Sequence, residues 1–371
     1  MSSRRITEFF VGPFLETYLA WATNARIRRR GASGGVATAL LKYLLDHQYV
    51  DAVLVPKPQF YRGLVYGVWT VVRRSDELEK FAGSLYAPTF GFGKVLNMAL
   101  TKFGRIAVTA VSCYAKAAKR LAHVRGKGEN IFIVGLYCNN TPSVYATKYA
   151  LTKLHIRVED VISVSFRGWG WPGYAVIKRR DGFIRVPSRV FLDSGFGQYF
   201  YGKGCYLCSD HTNTEADLSL ADPWTLPHEI IRSLGGATLV VVRTRPGLKV
   251  FRDAIHNGYI NAVEINPIYA VQFATLLKSS IRILSNSNKI SFKLPSGFSE
   301  VIYELDYHIG KILTSRESLW PLLNWYHKAV RPLGMLVAGV LDFKLNTSWA
   351  RILNSVNTIQ QKVKILDRKN Q

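Results

Sequence analysis

The hydrophobic and polar positions of this 371-residue chain alternate between two periods. Short runs rich in Val, Ile, Leu and aromatic residues read as strands. Stretches with apolar residues at i, i+3, i+4 and i+7 read as helices. After a glycine turn at Gly31–Gly35, the pattern VATALLKYLLDH predicts an amphipathic helix. Strands are predicted at Val50–Val55 and Leu64–Arg73, and a short helix capped at Ser75 runs to about Phe81. Beyond it come a strand at Arg105–Val111, a helix at Tyr114–Val124, a strand at Asn130–Tyr137, a helix at Ser143–His155 and a strand at Val161–Phe166. Tyr174–Arg179 and Phe183–Val186 flank an Asp181-Gly182 pair and predict an inserted β-hairpin. The alternation resumes with helix Pro227–Leu234, strand Ala237–Arg243, helix Leu248–Asn257 and strand Tyr259–Ile265. Strand and helix in alternation predict an α/β fold: a mixed, largely parallel sheet with flanking helices. The division expected is a basic N-terminal arm over 1–30, a body over 31–266 and a basic helical C-terminal extension over 267–371.

Composition adds charge to this picture. The chain has 49 Lys plus Arg against 25 Asp plus Glu, a net +24. The imbalance suits an acidic partner such as nucleic acid, an anionic membrane surface or a phosphate-rich or carboxylate-rich cofactor, without choosing among them. Residues 276–371 hold 14 Lys/Arg and 6 Asp/Glu, and the stretch 320–341 mixes them with aromatics. Its helices suit docking on the body, and peripheral contact with an anionic membrane is a second use. The longest uncharged stretch considered as a span, Pro332–Leu341, has ten residues, whereas a spanning helix needs about 20. Glu8 and Glu16 interrupt the N-terminal apolar residues, so no secretory signal is read and a cytoplasmic location is expected.

In a reducing compartment the four cysteines, Cys113, Cys138, Cys205 and Cys208, point to metal or catalysis rather than to disulfides. Cys113 and Cys138 each follow a predicted strand, and in such sheets ligands gather at the strands' carboxyl ends. Cys205 and Cys208 are separated by two residues, which lets both thiolates reach one centre. Four thiolates complete either a tetrahedral zinc site or a cubane iron–sulfur cluster. Spacing alone slightly favours zinc, although three separate loops are unlike the paired loops of a zinc ribbon. His211, three residues after Cys208, is an additional candidate ligand. Ser33-Gly34-Gly35 before a helix is an anion-suited start. The G-x-G-x-x-G, P-loop, G-x-S-x-G and H-E-x-x-H patterns are absent, which argues against a conventional dinucleotide fold, an NTPase, an α/β-hydrolase and a zincin. Trp169 and Trp171 among glycines offer flat surfaces to a planar ring, and Asp222 suits a ribose hydroxyl or a turn.

Taken in order, SGGVATALLKYLL, FAGSLYAP, SCYAKAAKRL, GLYCNNTPS, ISVSFRGWGWPGY, GCYLCSD, EADLSLADPW and GGATLVVVRT form an ordered set. Over roughly residues 26–260 the chain resembles the beta subunit family of coenzyme F420 hydrogenases and dehydrogenases. The resemblance implies an oxidoreductase with FAD and a 4Fe–4S cluster, passing electrons between a two-electron carrier, coenzyme F420 or similar, and a one-electron partner. It implies cluster ligands at Cys113, Cys138, Cys205 and Cys208. It places Ser33, Gly34, Gly35 and Thr38 near FAD, together with Gly83, Ser84, Tyr86, Arg167, Asp222 and Trp224. The chain departs from the family pattern in two places: Ala-Val-Ser precedes Cys113 in place of Gly-Thr-Pro, and Ala221 replaces a Gly. It also has no cysteine-rich ferredoxin module, so a redox partner protein or a small-molecule electron carrier is expected. Two alternatives stand beside this reading. One is a related flavin reductase of an organic biosynthetic substrate. The other is a zinc-stabilised nucleic-acid-binding protein, against which the absence of any nucleic-acid-binding motif argues.

Overall fold

The computed structural model describes residues 3–195, 200–206, 208–272, 274, 275 and 278. The expected helical extension over 267–371 otherwise lies outside the described residues. All the described residues belong to one unit, Met1–Lys311. Among them no helix is long and apolar enough to cross a membrane.

The chain opens with helix α1 (Ser3–Val11), strand β1 (Glu16–Ala22) and helices α2 (Ala25–Arg30) and α3 (Val36–Asp46). Strands β2 (Ala52–Tyr61) and β3 (Leu64–Val72) follow, then a 3-10 turn, β4 (Thr89–Phe90), α4 (Phe92–Lys102), β5 (Ile106–Val111) and α5 (Ser112–Val124). Next come β6 (Ile131–Leu136), α6 (Tyr145–Lys153), β7 (Val161–Ser165), β8 (Tyr174–Arg179), β9 (Gly182–Pro187), α7 (Ser188–Gly195) and α8 (Lys203–Tyr206). Finally β10 (Leu218–Ala221), α9 (His228–Ser233), β11 (Thr238–Val242), α10 (Arg245–His256) and β12 (Ile260–Glu264) complete the fold.

Nine strands form one sheet in the order β12-β1-β11-β10-β6-β5-β2-β3-β4, and β7-β8-β9 form a second, antiparallel sheet. In the large sheet β10, β6, β5 and β2 run parallel, while β1, β11 and β12 join in antiparallel register. The sheet is therefore mixed, and its parallel character is confined to the centre and to the β3–β4 edge. The two faces sort by alternation. Val240 and Val242 face the core built with α3 and α10, whereas Leu239 and Val241 face Val11 and Phe14. Every residue of β11 is buried, the mark of a strand covered on both faces.

Three expectations are corrected. Residues 1–30 are not an arm: β1 lies between β11 and β12, pairing Leu19 with Leu239 and Val263. The basic run Arg28-Arg29-Arg30 hid this, since only ETYLAWA carries the strand pattern. Val161–Ser165 does not extend the large sheet but starts the small one, and the hairpin completes it with Arg180-Asp181 as its loop. Helix α10 starts at Arg245, three residues before Leu248, because Thr244 caps it by accepting from Gly247 N at 3.0 Å.

Candidate functional site

The parallel strands β5, β6 and β10 end at one edge, and the candidate residues follow directly. Cys113 is the second residue of α5, which begins straight from β5 without an intervening turn. Cys138 lies two residues past β6, and its N–H donates to His211 O at 2.9 Å. Cys205 sits in α8, where its Sγ accepts from Thr141 N at 3.4 Å. Cys208 N donates to Cys205 O at 3.3 Å. The following loop is knotted by Asp210, which accepts from the N–H groups of Asn213 and Thr214. Arg243 holds the same loop from beneath, donating to Thr212 O, Pro13 O and Ser219 Oγ.

The four thiols lie within each other's electrostatic reach. Burial raises the Cys138 thiol to about 12; Lys278 pulls it down, and Cys205, Cys113 and Cys208 push it further up. Burial also raises Cys113, followed by Cys208 and Cys205 among its causes. Among the described residues no three His, Cys, Asp or Glu side chains stand in a metal-holding arrangement, so the thiols converge on one region without forming a closed cage. The donor set nevertheless fits a cationic metal centre. Thiols whose deprotonation is opposed by burial and by each other gain most from a cation that neutralises them. His211 is packed rather than presented: its Nδ1 lies 2.8 Å from Thr275 Oγ1.

A second cluster adjoins the first. Arg167 is 2% exposed. Its guanidinium donates to Asp222 Oδ2 at 2.5 Å, Tyr86 OH at 3.3 Å, Ala32 O at 3.1 Å and Pro172 O at 3.3 Å. The indoles of Trp171 and Trp224, 4.5 Å apart, cover it at 5.3 and 5.5 Å. Burial acts to lower the Arg167 pKa, but the Asp222 carboxylate and then Tyr86 outweigh it, so the net direction is up. Gly83 passes so close that a Cβ would lie 3.1 Å from Arg167 O. Ser84, half-buried, belongs to the same loop. The structure thus brings Gly83, Tyr86, Arg167, Asp222 and Trp224 together around one buried cation, although the chain carries them on segments far apart.

The glycine turn meets this cluster through Ala32. Its glycines also answer to packing. Gly34, at φ +77, would place a Cβ 2.7 Å from Ala237 Cα, and Gly35, at φ +74, would place one 2.6 Å from Ile27 O. Ser33 Oγ donates to Ala237 O at 3.1 Å. Among the described residues no side chain caps the N-terminus of α3, and Thr38 is buried in its first turn.

Tyr201 links the two clusters. Its phenol is raised by burial first, then by Cys205, Tyr86 and Cys138, so it lies within reach of both. Neither Tyr201 nor Asn213 was singled out by sequence pattern, because each acts through contacts made by loops far apart in the chain. Among the described residues several buried polar atoms near the strand ends have no hydrogen-bond partner: Thr109 Oγ1, Ser112 Oγ, Asn213 Oδ1 and Trp171 Nε1. Orphaned groups of this kind at the carboxyl edge of a parallel sheet fit a polar cofactor.

Comparison with known proteins gives the class. Two family profiles of the coenzyme F420 hydrogenase/dehydrogenase beta subunit match the chain: the one for its N-terminal part covers residues 17–97, and the one for its C-terminal part covers residues 103–268. The F420-dependent formate dehydrogenase subunit beta of Methanocaldococcus jannaschii is 30% identical over 294 residues, 78% of this chain and 69% of the relative. The coenzyme F420 hydrogenase subunit beta of Methanosarcina barkeri is 23% identical over 282 residues, 71% of this chain and 86% of the relative. A chain of the F420-reducing [NiFe] hydrogenase complex from Methanosarcina barkeri shares the fold, with a TM-score of 0.57 and 19% identity, covering 74% of this chain and 93% of that one. The protein is an oxidoreductase of the mixed α/β type. It belongs to the coenzyme F420 hydrogenase/dehydrogenase beta-subunit family.

Proposed function

We propose that this chain passes electrons between a two-electron carrier of the coenzyme F420 type and a one-electron partner, using FAD and a 4Fe–4S cluster. The observation that carries the reading is the meeting of two clusters at one sheet edge. Four thiols gather beside a buried Arg167–Asp222 pair walled by indoles, with Tyr201 in reach of both. A flavin would exchange electron pairs with the carrier and single electrons with the cluster. Cys113, Cys138, Cys205 and Cys208 hold the cluster in this reading. Ser33, Gly34, Gly35 and Thr38 line the flavin phosphates at the open start of α3. Gly83, Ser84, Tyr86, Arg167, Asp222 and Trp224 shape and orient the rest. The buried guanidinium supplies a fixed positive charge and the indoles exclude water, so the site favours an electron-rich ring without a proton donor being invoked.

The relatives named as F420-dependent formate dehydrogenase and coenzyme F420 hydrogenase subunits support the carrier assignment. The basic chain suits an anionic carrier. The one-electron partner is a separate protein or small carrier, and the body works inside the cell. The test is the full chain, purified without oxygen, mixed with reduced F420 and a one-electron dye. Dye reduction with reduced F420 but not with NADH supports the proposal. Activity with neither carrier but with an organic substrate would overturn the carrier assignment in favour of a small-molecule reductase.

A further inference from the structure

The segment just beyond the family-matched residues buries three polar side chains spaced by three: Gln272, Thr275 and Lys278. Each reaches a different part of the edge. Gln272 Nε2 donates to Asp222 O at 2.6 Å, Thr275 Oγ1 meets His211 Nδ1 at 2.8 Å, and Lys278 Nζ donates to Cys138 O at 3.1 Å. The first two are ordinary neutral bonds that dock the segment. Lys278 is different. Its side chain carries a full charge and three N–H donors, yet it is 5% exposed. Lysines are almost never fully buried unless paired. Among the described residues its hydrogen bond goes to a neutral carbonyl, and no carboxylate pairs with it. A desolvated ammonium with so little compensation calls for a negative neighbour. The carbonyl it holds belongs to Cys138, one of the four thiol-bearing residues.

We infer that Lys278 is the built-in counter-charge of the four-thiol centre, a positioning residue that sets how readily the centre accepts an electron. The inference rests on the reading of those thiols as holders of a redox-active cluster. Four thiolates around such a cluster leave net negative charge, which grows by one unit on reduction. In that step one electron enters from the reductant and no bond is made or broken. A fixed cation one residue's reach away favours the more negative state, so it raises the reduction potential; net charge is one of the terms that set such potentials. The lysine lies ten residues beyond the stretch that the family profiles match.

The test compares wild type, K278M and K278R as full chains purified without oxygen. Iron is counted, and each protein is then titrated with dithionite and mediators while absorbance and electron paramagnetic resonance report the reduced fraction. The expected result is wild-type iron content in K278M, with the reduction equilibrium shifted at least tenfold against the reduced state, about 59 mV for one electron. K278R should recover most of the shift. Loss of iron in K278M that K278R restores would also support the charge. An unmoved potential in an iron-bearing K278M overturns the inference and leaves the cluster reading intact. Iron loss in both variants overturns it in favour of a packing role. Wild-type protein without iron refutes the four-thiol reading, and the inference falls with it.

Discussion

Replacing Arg167 by Met removes the charge that joins four chain segments while keeping most of the stem volume. The guanidinium is 2% exposed and the Asp222 side chain 21%. Removing one partner of a buried pair typically costs about 3–5 kcal/mol, because the other charge stays buried and unpaired. Water reaches one side of Asp222, which places R167M at the lower end, about 3 kcal/mol. That corresponds to a loss of more than about 100-fold in the folding equilibrium. D222N leaves the more deeply buried partner charged but keeps an acceptor oxygen, so about 2 kcal/mol is expected. The double variant R167M/D222N should cost less than the sum by at least about 1 kcal/mol, since the two side chains share one interaction. Urea unfolding followed by tryptophan fluorescence reads the change, because Trp171 and Trp224 stack over the guanidinium. An R167M cost below about 1 kcal/mol, the range of an exposed ion pair, would refute the claim that this cation organises the site. So would strict additivity in the double variant.

Three further outcomes follow from other parts of the molecule. Each of C113S, C138S, C205S and C208S should lower the iron content of the anaerobically purified protein, and full iron in any one would remove that cysteine from the ligand set. G34A should destabilise the fold by about 1–3 kcal/mol in the same urea assay, from a left-handed backbone and a Cβ against Ala237; an unchanged midpoint would show that the turn relaxes freely. Burial acts to raise the Asp46 pKa, but bonds from Ser75, Tyr259 and Lys42 outweigh it and hold the carboxyl below its ordinary value. Its contribution is therefore complete above the unfolded value near 4 and is lost as pH falls through the lower folded value. The stability gap between wild type and D46N, about 1 kcal/mol at pH 7, should shrink as the pH is lowered through that window; a gap that widens would reverse the sign of the argument.

Much of the fold was legible because its strands are short apolar runs and its helices carry a 3.6-residue period. Asn130–Tyr137 and Ala237–Arg243 fall on β6 and β11 to within a residue or two at each end. What escaped was pairing. A strand such as β1 shows its period but not its neighbours, and a leader dense in arginine masked it. The parallel and antiparallel edges of one sheet likewise look alike in sequence. At the site, Cys113 and Cys138 announced themselves by ending strands, and the sheet places both at the carboxyl edge. Arg167 and Asp222 were visible only as parts of an ordered motif series, since nothing local says that residues 55 apart form one ion pair. Lys278 gave no signal at all. In a segment rich in Lys and Arg one buried lysine reads in sequence like any other, and among the described residues its bond to Cys138 O distinguishes it.

In the proposed function, four thiols and a neighbouring cation-and-indole pocket hold a cluster and a flavin in one protein. The most direct measurement is the metal and flavin content of the full chain purified without oxygen, with its visible spectrum recorded on the same sample. About four irons per chain are expected for four thiolate ligands, together with one flavin and a spectrum showing both. A colourless protein with a single zinc and no flavin would contradict it.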